Sequence, residues 1–257
     1  PDDVPDTPET PVSKTGAKWI LGDHVIYCPD SPLETDVQEL LDGVHPEHTV
    51  HCISDPPYGI AYDPKAGKKY GMIKNDDKFL DFISLAKKYT NGFFFMWTSY
   101  QVVHEWIKRV NEEFEKVNNI IVWHKGGGGM GDCARTLATD YELALVVHRG
   151  NFIQSARGSA MWYFQKESRL DYVRKAKKEE LQNIIRHILD GQCVWKIGKD
   201  NTATYMHPTQ KPVEVNERAL ISFTKRGDTV LDLFTGSGSN LIACERLGRN
   251  FRGMEID

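Results

Sequence analysis

Residues 229–255 read TVLDLFTGSGSNLIACERLGRNFRGME. Thr229 to Leu233 is a short apolar and β-branched run, the composition of a buried strand. It runs into Phe234-Thr235-Gly236-Ser237-Gly238-Ser239-Asn240. Leu241, Ala243, Cys244 and Leu247 then recur at helical spacing, and Gly248 closes that helix. Phe251 to Glu255 is the next strand, with its acid at the end. Strand, glycine-rich turn, helix and strand make a complete βαβ unit, which predicts an α/β fold with a doubly wound, mostly parallel sheet.

The same unit predicts a ligand. Glycines let the backbone pass close to a bound molecule, and an acid about 20 residues further on can accept both hydroxyls of a ribose. A dinucleotide fingerprint needs G-x-G-x-x-G, whereas here Asn240-Leu241 follows Gly236-x-Gly238. The turn thus makes less provision for a pyrophosphate and favours a nucleoside without phosphates, of which S-adenosylmethionine is the obvious case. The third glycine that an NAD-dependent oxidoreductase would need is missing.

Upstream, the apolar run Val50 to Ile53 reads as another buried strand, and it ends in Asp55-Pro56-Pro57-Tyr58-Gly59. Each proline fixes its own φ and restricts the residue before it, so Asp55 and the Pro56 carbonyl are held in a stiff, extended turn beside a flat ring. The acid and the carbonyl can accept two N–H bonds from a planar amine while the ring stacks on it. Taken alone, these residues describe a rigid turn after a strand equally well.

Between the two anchors the alternation continues. His24 to Cys28 reads as a short strand, and Leu33, Val37, Leu40 and Leu41 as a helix stopped by Gly43. Phe79, Phe82, Ile83 and Ala86 mark a helix face, Phe93 to Trp97 a buried strand, and Val103, Ile107, Val110 and Phe114 another helix. Ile120 to Trp123 and Tyr141 to Val147 are strands without a helix between them, which predicts an antiparallel hairpin at one edge of the sheet. The loop GGGGMG, residues 126–131, is not a phosphate-binding loop, since no Gly-Lys-Ser/Thr follows.

Four domain segments follow. Residues 1–16, rich in proline and acids, have tail or linker composition. Residues 17–149 and 207–257 form two halves of one globular domain. Residues 150–206 break the alternation and carry basic and aromatic side chains together, including Arg157, Trp162, Lys166, Arg169, Arg174 and Lys175. A solvated amphipathic helix would explain the lysine run. If the protein binds DNA, this is where phosphates and bases would be met.

The net charge of −4 does not point to nucleic acid, but residues 1–50 hold two basic residues against eleven acidic ones, so the rest of the chain is +5. A local basic face is compatible with that balance. The five cysteines are scattered without zinc-ligand spacing, so no metal is expected. No apolar run approaches about 18 residues, so no membrane span is expected. The chain opens on Pro1 rather than Met, which reads as a piece of a longer protein or a processed chain.

Together these stretches resemble the amino-group DNA methyltransferases, which act on adenine N6 or cytosine N4, in the permuted β-type motif order. In that family DPPY comes first, a target-recognition region sits in the middle and F-x-G-x-G comes last. The resemblance runs from Trp19 to Asp257 through ISDPPYG, IIVWHK, DYELALVVHRG, HPTQKP (207–212), VLDLFTGSGSNLIACERLGR (230–249) and FRGMEID. It implies an S-adenosylmethionine-dependent methyltransferase fold with an inserted target-recognition region.

The resemblance also implies roles. Asp55, Pro56, Pro57 and Tyr58 would be catalytic. Asp232, Phe234, Gly236, Gly238, Ser239 and Asn240 would line the cofactor with Asp55, and Glu255 would hold its ribose. Asp30 and Ser31 match a turn whose acid meets the adenine amine, with Pro29 where glycine is usual. His207, Thr209 and Lys211 fall in HPTQKP, where Thr209 and Lys211 would meet the methionine carboxylate. Arg157, Lys166, Arg169, Arg174 and Lys175 would bind double-stranded DNA. The implied protein is cytoplasmic, bacterial or phage-encoded, and a homodimer is left open. DPPY members of the family favour adenine N6, with cytosine N4 as the alternative. A non-catalytic nucleic-acid-binding subunit is the reading from another class, and the intact Asp55, Tyr58, Gly236 and Gly238 oppose it.

Overall fold

The computed structural model describes residues 12–29, 33–61, 75–126, 139–149, 194–199 and 210–256. The strands are β1 (Lys18–Leu21), β2 (His24–Tyr27), β3 (Val50–Ser54), β4 (Phe94–Thr98), β5 (Asn119–His124), β6 (Tyr141–Val147), β7 (Val194–Lys196), β8 (Thr229–Asp232) and β9 (Asn250–Met254). The helices among the described residues are α1 (Glu34–Leu40), α2 (Ile83–Tyr89), α3 (Val103–Phe114), α4 (Val213–Phe223) and α5 (Ser239–Leu247). Among the described residues, the nine strands lie in one sheet, in the order β1-β2-β9-β8-β3-β4-β6-β5-β7.

The central strands are parallel: β2 with β9, β9 with β8, β8 with β3, and β3 with β4. Such strands are covered on both faces and therefore apolar on both. Alternation then assigns each residue its face. Val50 and Cys52 of β3, Phe94 and Met96 of β4, and Leu145 and Val147 of β6 pack with Val37, Ile83, Trp106 and Val110 from α1, α2 and α3. Ile53, Phe95, Trp97, Ala144 and Val146 pack on the other face with Val215, Ala219 and Phe223 of α4 and with Ala243 and Cys244 of α5.

The connections wind in two directions. From β3 the chain passes through α2 to β4 on one side; from β8 it passes through α5 to β9 on the other. The reversal falls between β3 and β8, the place where open α/β sheets bind ligands.

Three features differ in detail from the sequence expectation. β5 and β6 form the expected antiparallel hairpin, but β6 also pairs antiparallel with β4, and β7 lies parallel outside β5. β7 comes from within 150–206, so that stretch returns to the sheet before it ends. β1 has no apolar alternation to announce it, because as an edge strand it is exposed along its whole length, Ile20 at 71%. Among the described residues, no helix is long and apolar enough to cross a membrane.

The sheet end opposite the reversal point is fixed by two buried histidines. His51 Nδ1 accepts the Phe93 N–H at 2.9 Å, so its Nε2 carries the proton and donates to Asp228 at 3.0 Å. His24 repeats the pattern, taking the Phe251 N–H at 3.0 Å and reaching Glu245 at 2.9 Å.

Candidate active site

Two turns leave neighbouring strands at the same end of the sheet. β3 runs into Asp55-Pro56-Pro57-Tyr58 and β8 into Phe234 and the glycine turn, with Cys52 of β3 beside Leu231 of β8. Side chains bind the turns together past the last strand pair. The Leu233 N–H donates to Ser54 Oγ at 3.1 Å. Asn240, buried in the first turn of α5, donates through Nδ2 to the Ile53 carbonyl and to Asp232 Oδ2, both at 3.0 Å. Asp232 Oδ1 also accepts the Phe234 N–H at 3.1 Å. Its carboxyl therefore braces the turn from beneath, and burial pushes its pKa up to about 7.

The glycine turn is shaped for a ligand lying close to backbone. Gly236 and Gly238 have φ of 54° and 77°, left-handed values that glycine adopts without strain. Gly238 caps the N-terminus of α5, and no atom lies within 4 Å of where its Cβ would be. Gly253 on β9 is needed for a different reason: a Cβ there would run into the Phe251 ring and the Thr235 hydroxyl. Glu255 follows β9, and its carboxylate accepts the Gly236 N–H and, at 3.0 Å, the Ile256 N–H. A carboxylate across an open glycine turn, with Phe234 edge-on to Phe82 at 5.0 Å beside it, suits a ribose and a flat base. Ser239 Oγ accepts from Asn216 of α4 at 3.0 Å.

The Asp55 turn carries the charge. Tyr58 OH donates to Asp55 Oδ1 at 2.9 Å, and Lys211 Nζ pairs with Asp55 Oδ2. Lys211 also lies 3.3 Å from Glu142 Oε2 and 3.3 Å from Tyr58 OH, and it faces the Trp97 ring at 5.3 Å. Glu142, at the start of β6, pairs through Oε1 with Lys125. The Gly59 N–H donates to Asp76 at 3.0 Å, tying the exit of the turn to the chain beyond it.

These contacts set the protonation states. Burial raises the pKa of Asp55 more than Lys211 and the Tyr58 hydroxyl lower it. Burial also acts upward on Glu142, yet the Lys211 and Lys125 ammoniums bring it down to about 2. Burial would lower Lys211, but Asp55 and Glu142 outweigh it and hold the ammonium charged. Tyr58 is pushed well above the usual phenol range, first by burial and then by the two carboxylates.

Of the residues singled out from sequence, contacts join Asp55 to Tyr58, Asp232 to Phe234 and Asn240, and Gly236 to Glu255, while Gly238 caps α5. Lys211, singled out for the methionine carboxylate, has its ammonium at Asp55. Glu142 and Lys125 were not singled out from sequence. The available signal was a charged residue opening an otherwise apolar strand, YELALVV. The expected contacts of Asp30, Ser31, His207 and Thr209, and of Arg157, Lys166, Arg169, Arg174 and Lys175, fall outside the described residues. Among the described residues, no group of three or more His, Cys, Asp or Glu is arranged to hold a metal ion.

The chain is similar to known proteins. The signature of the DNA methylase family, which covers N6 and N4 enzymes, matches residues 49–257. The chain is 26% identical over 241 residues to the type II methyltransferase M2.DpnII of Streptococcus pneumoniae, spanning 88% of this chain and 84% of that one. It is 25% identical over 246 residues to the type II methyltransferase M2.LlaDCHI of Lactococcus lactis subsp. cremoris, with the same coverage of 88% and 84%. Among solved structures, the M1.HpyAVI–SAM complex shares the fold with a TM-score of 0.56 at 22% identity, over 90% of this chain and 93% of that one. The cytosine-N4-specific PvuII DNA methyltransferase shares it with a TM-score of 0.59 at 14% identity, over 95% and 83%. An acid-proline turn and a glycine turn locked together at the reversal point of the sheet, inside a signature that spans most of the sequence, leave one assignment: the chain belongs to the DNA methylase family.

Proposed function

We propose that the protein transfers the methyl group of S-adenosylmethionine to the exocyclic N6 of an adenine in double-stranded DNA, acting in the cytoplasm of a bacterium or a phage-infected cell. The observation that supports this reading is the lock between the two turns: Asn240 joins β3, β8 and α5, so the Asp55 turn and the Gly236–Gly238 turn leave adjacent strands at one end of the sheet.

Glu255, Phe234 and the glycine turn would hold the cofactor, whose sulfonium supplies an already activated methyl group. The chain's own task is to place an amine in line with it. Asp55 and the Pro56 carbonyl accept the two amine hydrogens, which draws the nitrogen lone pair out of conjugation with the ring. Tyr58 fixes the Asp55 carboxylate through its hydroxyl and offers its ring for stacking. Positioning and electrostatic stabilisation of the developing positive nitrogen then supply the rate. Asp55, with its raised pKa, is suited to receive the proton that the methylated nitrogen sheds. A base inside a duplex cannot reach this turn, so the target is flipped out, at a cost of a few kcal/mol. Arg157, Lys166, Arg169, Arg174 and Lys175 in the 150–206 region would grip the phosphates meanwhile.

Adenine is favoured by the DPPY resemblance, while cytosine N4 offers the same two hydrogens. The test is to incubate the protein with labelled cofactor and unmethylated genomic DNA, then digest the DNA to nucleosides. N6-methyldeoxyadenosine is the expected product. N4-methyldeoxycytidine would overturn the choice of base, and no labelled nucleoside would overturn the activity.

A further inference from the structure

Asp55 Oδ1 is taken by the Tyr58 hydroxyl, which leaves Oδ2 for the target amine of the proposed function, and Oδ2 is covered by the Lys211 ammonium. The ammonium must leave before an amine can bind there. Lys211 is buried, its side chain 6% exposed, so withdrawal without a partner would strand a charge in a low-dielectric site. A second carboxylate already stands within reach, because Glu142 Oε2 lies 3.3 Å from the same nitrogen. Glu142 is itself held still. Its Oε1 is paired with Lys125, whose side chain is 14% exposed, and its Oε2 lies 3.3 Å from Tyr58 OH. Two carboxylates and two ammoniums thus balance in one cluster, and the Lys211 ammonium touches both carboxylates.

The geometry points to Glu142 as a positioning residue for methyl transfer: it is the seat to which Lys211 withdraws when the target amine takes Asp55. This rests on the reading of Asp55 as the acceptor of that amine. Lys211 then closes the base site while it is empty, and Glu142 lets it open without leaving a buried cation unpaired. Lys125 keeps that seat in place.

The experiment is single-turnover methyl transfer to duplex DNA at saturating cofactor, with cofactor affinity and urea midpoint measured on each protein. Glu142→Gln removes the seat, so Lys211 stays on Asp55 and transfer slows about 10- to 100-fold, while cofactor affinity stays within about twofold. Adding Lys211→Met removes the cation that needed the seat, and the double variant is expected to run at least about tenfold faster than Glu142→Gln alone. A merely structural Glu142 gives no such recovery. A double variant no faster than Glu142→Gln, or a Glu142→Gln rate within about threefold of the unaltered protein, overturns the proposal. If Glu142→Gln does not fold, Lys125→Met unfastens the same seat and is expected to slow transfer in a way that Lys211→Met again relieves; no relief overturns the proposal. Failure of the unaltered protein to methylate any DNA refutes the parent reading instead, and this inference with it.

Discussion

Asn240→Ala is the most informative single change to the scaffold. The Asn240 amide spans the point where the sheet reverses direction, giving one hydrogen bond to the Ile53 carbonyl and one to Asp232. The residue is 4% exposed, so water cannot replace either bond in the folded state. Hydrogen bonds to neutral groups contribute about 1 kcal/mol and those to charged groups about 1.5–3 kcal/mol, with buried acceptors left unsatisfied at the upper end. The variant should therefore lose about 3–4 kcal/mol, read as a lower urea midpoint at an unchanged m-value.

The change also has a pH signature. Asp232 has a folded pKa of about 7, above its unfolded value, so the folded state holds that proton more tightly. The contribution to stability is fully present below about pH 4 and is lost as pH rises through about 7. Asn240 lowers this pKa by donating to the carboxylate. Its removal raises the folded pKa further, and stability should go on falling above pH 7, where the unaltered protein has levelled off. A loss below about 1 kcal/mol, with the same pH profile, would refute the idea that this amide locks the two turns.

Other consequences can be measured separately. Gly253→Ala puts a methyl group into the Phe251 ring and the Thr235 hydroxyl, so the glycine turn must shift. A stability loss of about 1–3 kcal/mol and weaker cofactor binding by calorimetry are expected together, and unchanged binding would show that the turn does not carry the cofactor. Tyr58→Phe keeps the ring but removes the hydroxyl on Asp55; single-turnover transfer should fall by about tenfold, the equivalent of one hydrogen bond, and an unchanged rate would free Asp55 from that support. Asp228 has its pKa lowered, the hydrogen bonds from His51 and the Lys225 N–H outweighing burial. It contributes stability above its unfolded pKa that is lost as pH falls through the folded one, so Asp228→Asn should flatten the acid limb of the stability profile and leave a smaller difference below it.

What the sequence made legible follows from where each signal resides. The β8–α5–β9 unit and the Asp55 turn are each local, written in contiguous residues whose apolar period, glycines and prolines determine their shape. Their meeting is not local, and it was inferred from the motif pair. The structure supplies its physical cause, a parallel β3–β8 pair closed by Asn240 and Ser54. β1 escaped notice because a fully exposed edge strand carries no alternation, and β7 because three residues are too few to show a period. Lys211 was placed by motif beside the cofactor, whereas its contact with Asp55 depends on packing that no contiguous stretch of sequence records. Here burial against Trp97 and the adjacency of Glu142 bring it to Asp55. Glu142 is contiguous with nothing else in the site, so only the fold of β6 beside β4 brings it there.

The most direct test of the whole account is to measure methyl transfer and cofactor binding side by side for the unaltered protein and Asp55→Ala. Transfer to DNA should fall to background while S-adenosylmethionine still binds within a few-fold of its original affinity, because the glycine turn and Glu255 are untouched. Labelled methyl groups still appearing in DNA after Asp55→Ala would contradict the claim that this carboxylate receives the target amine.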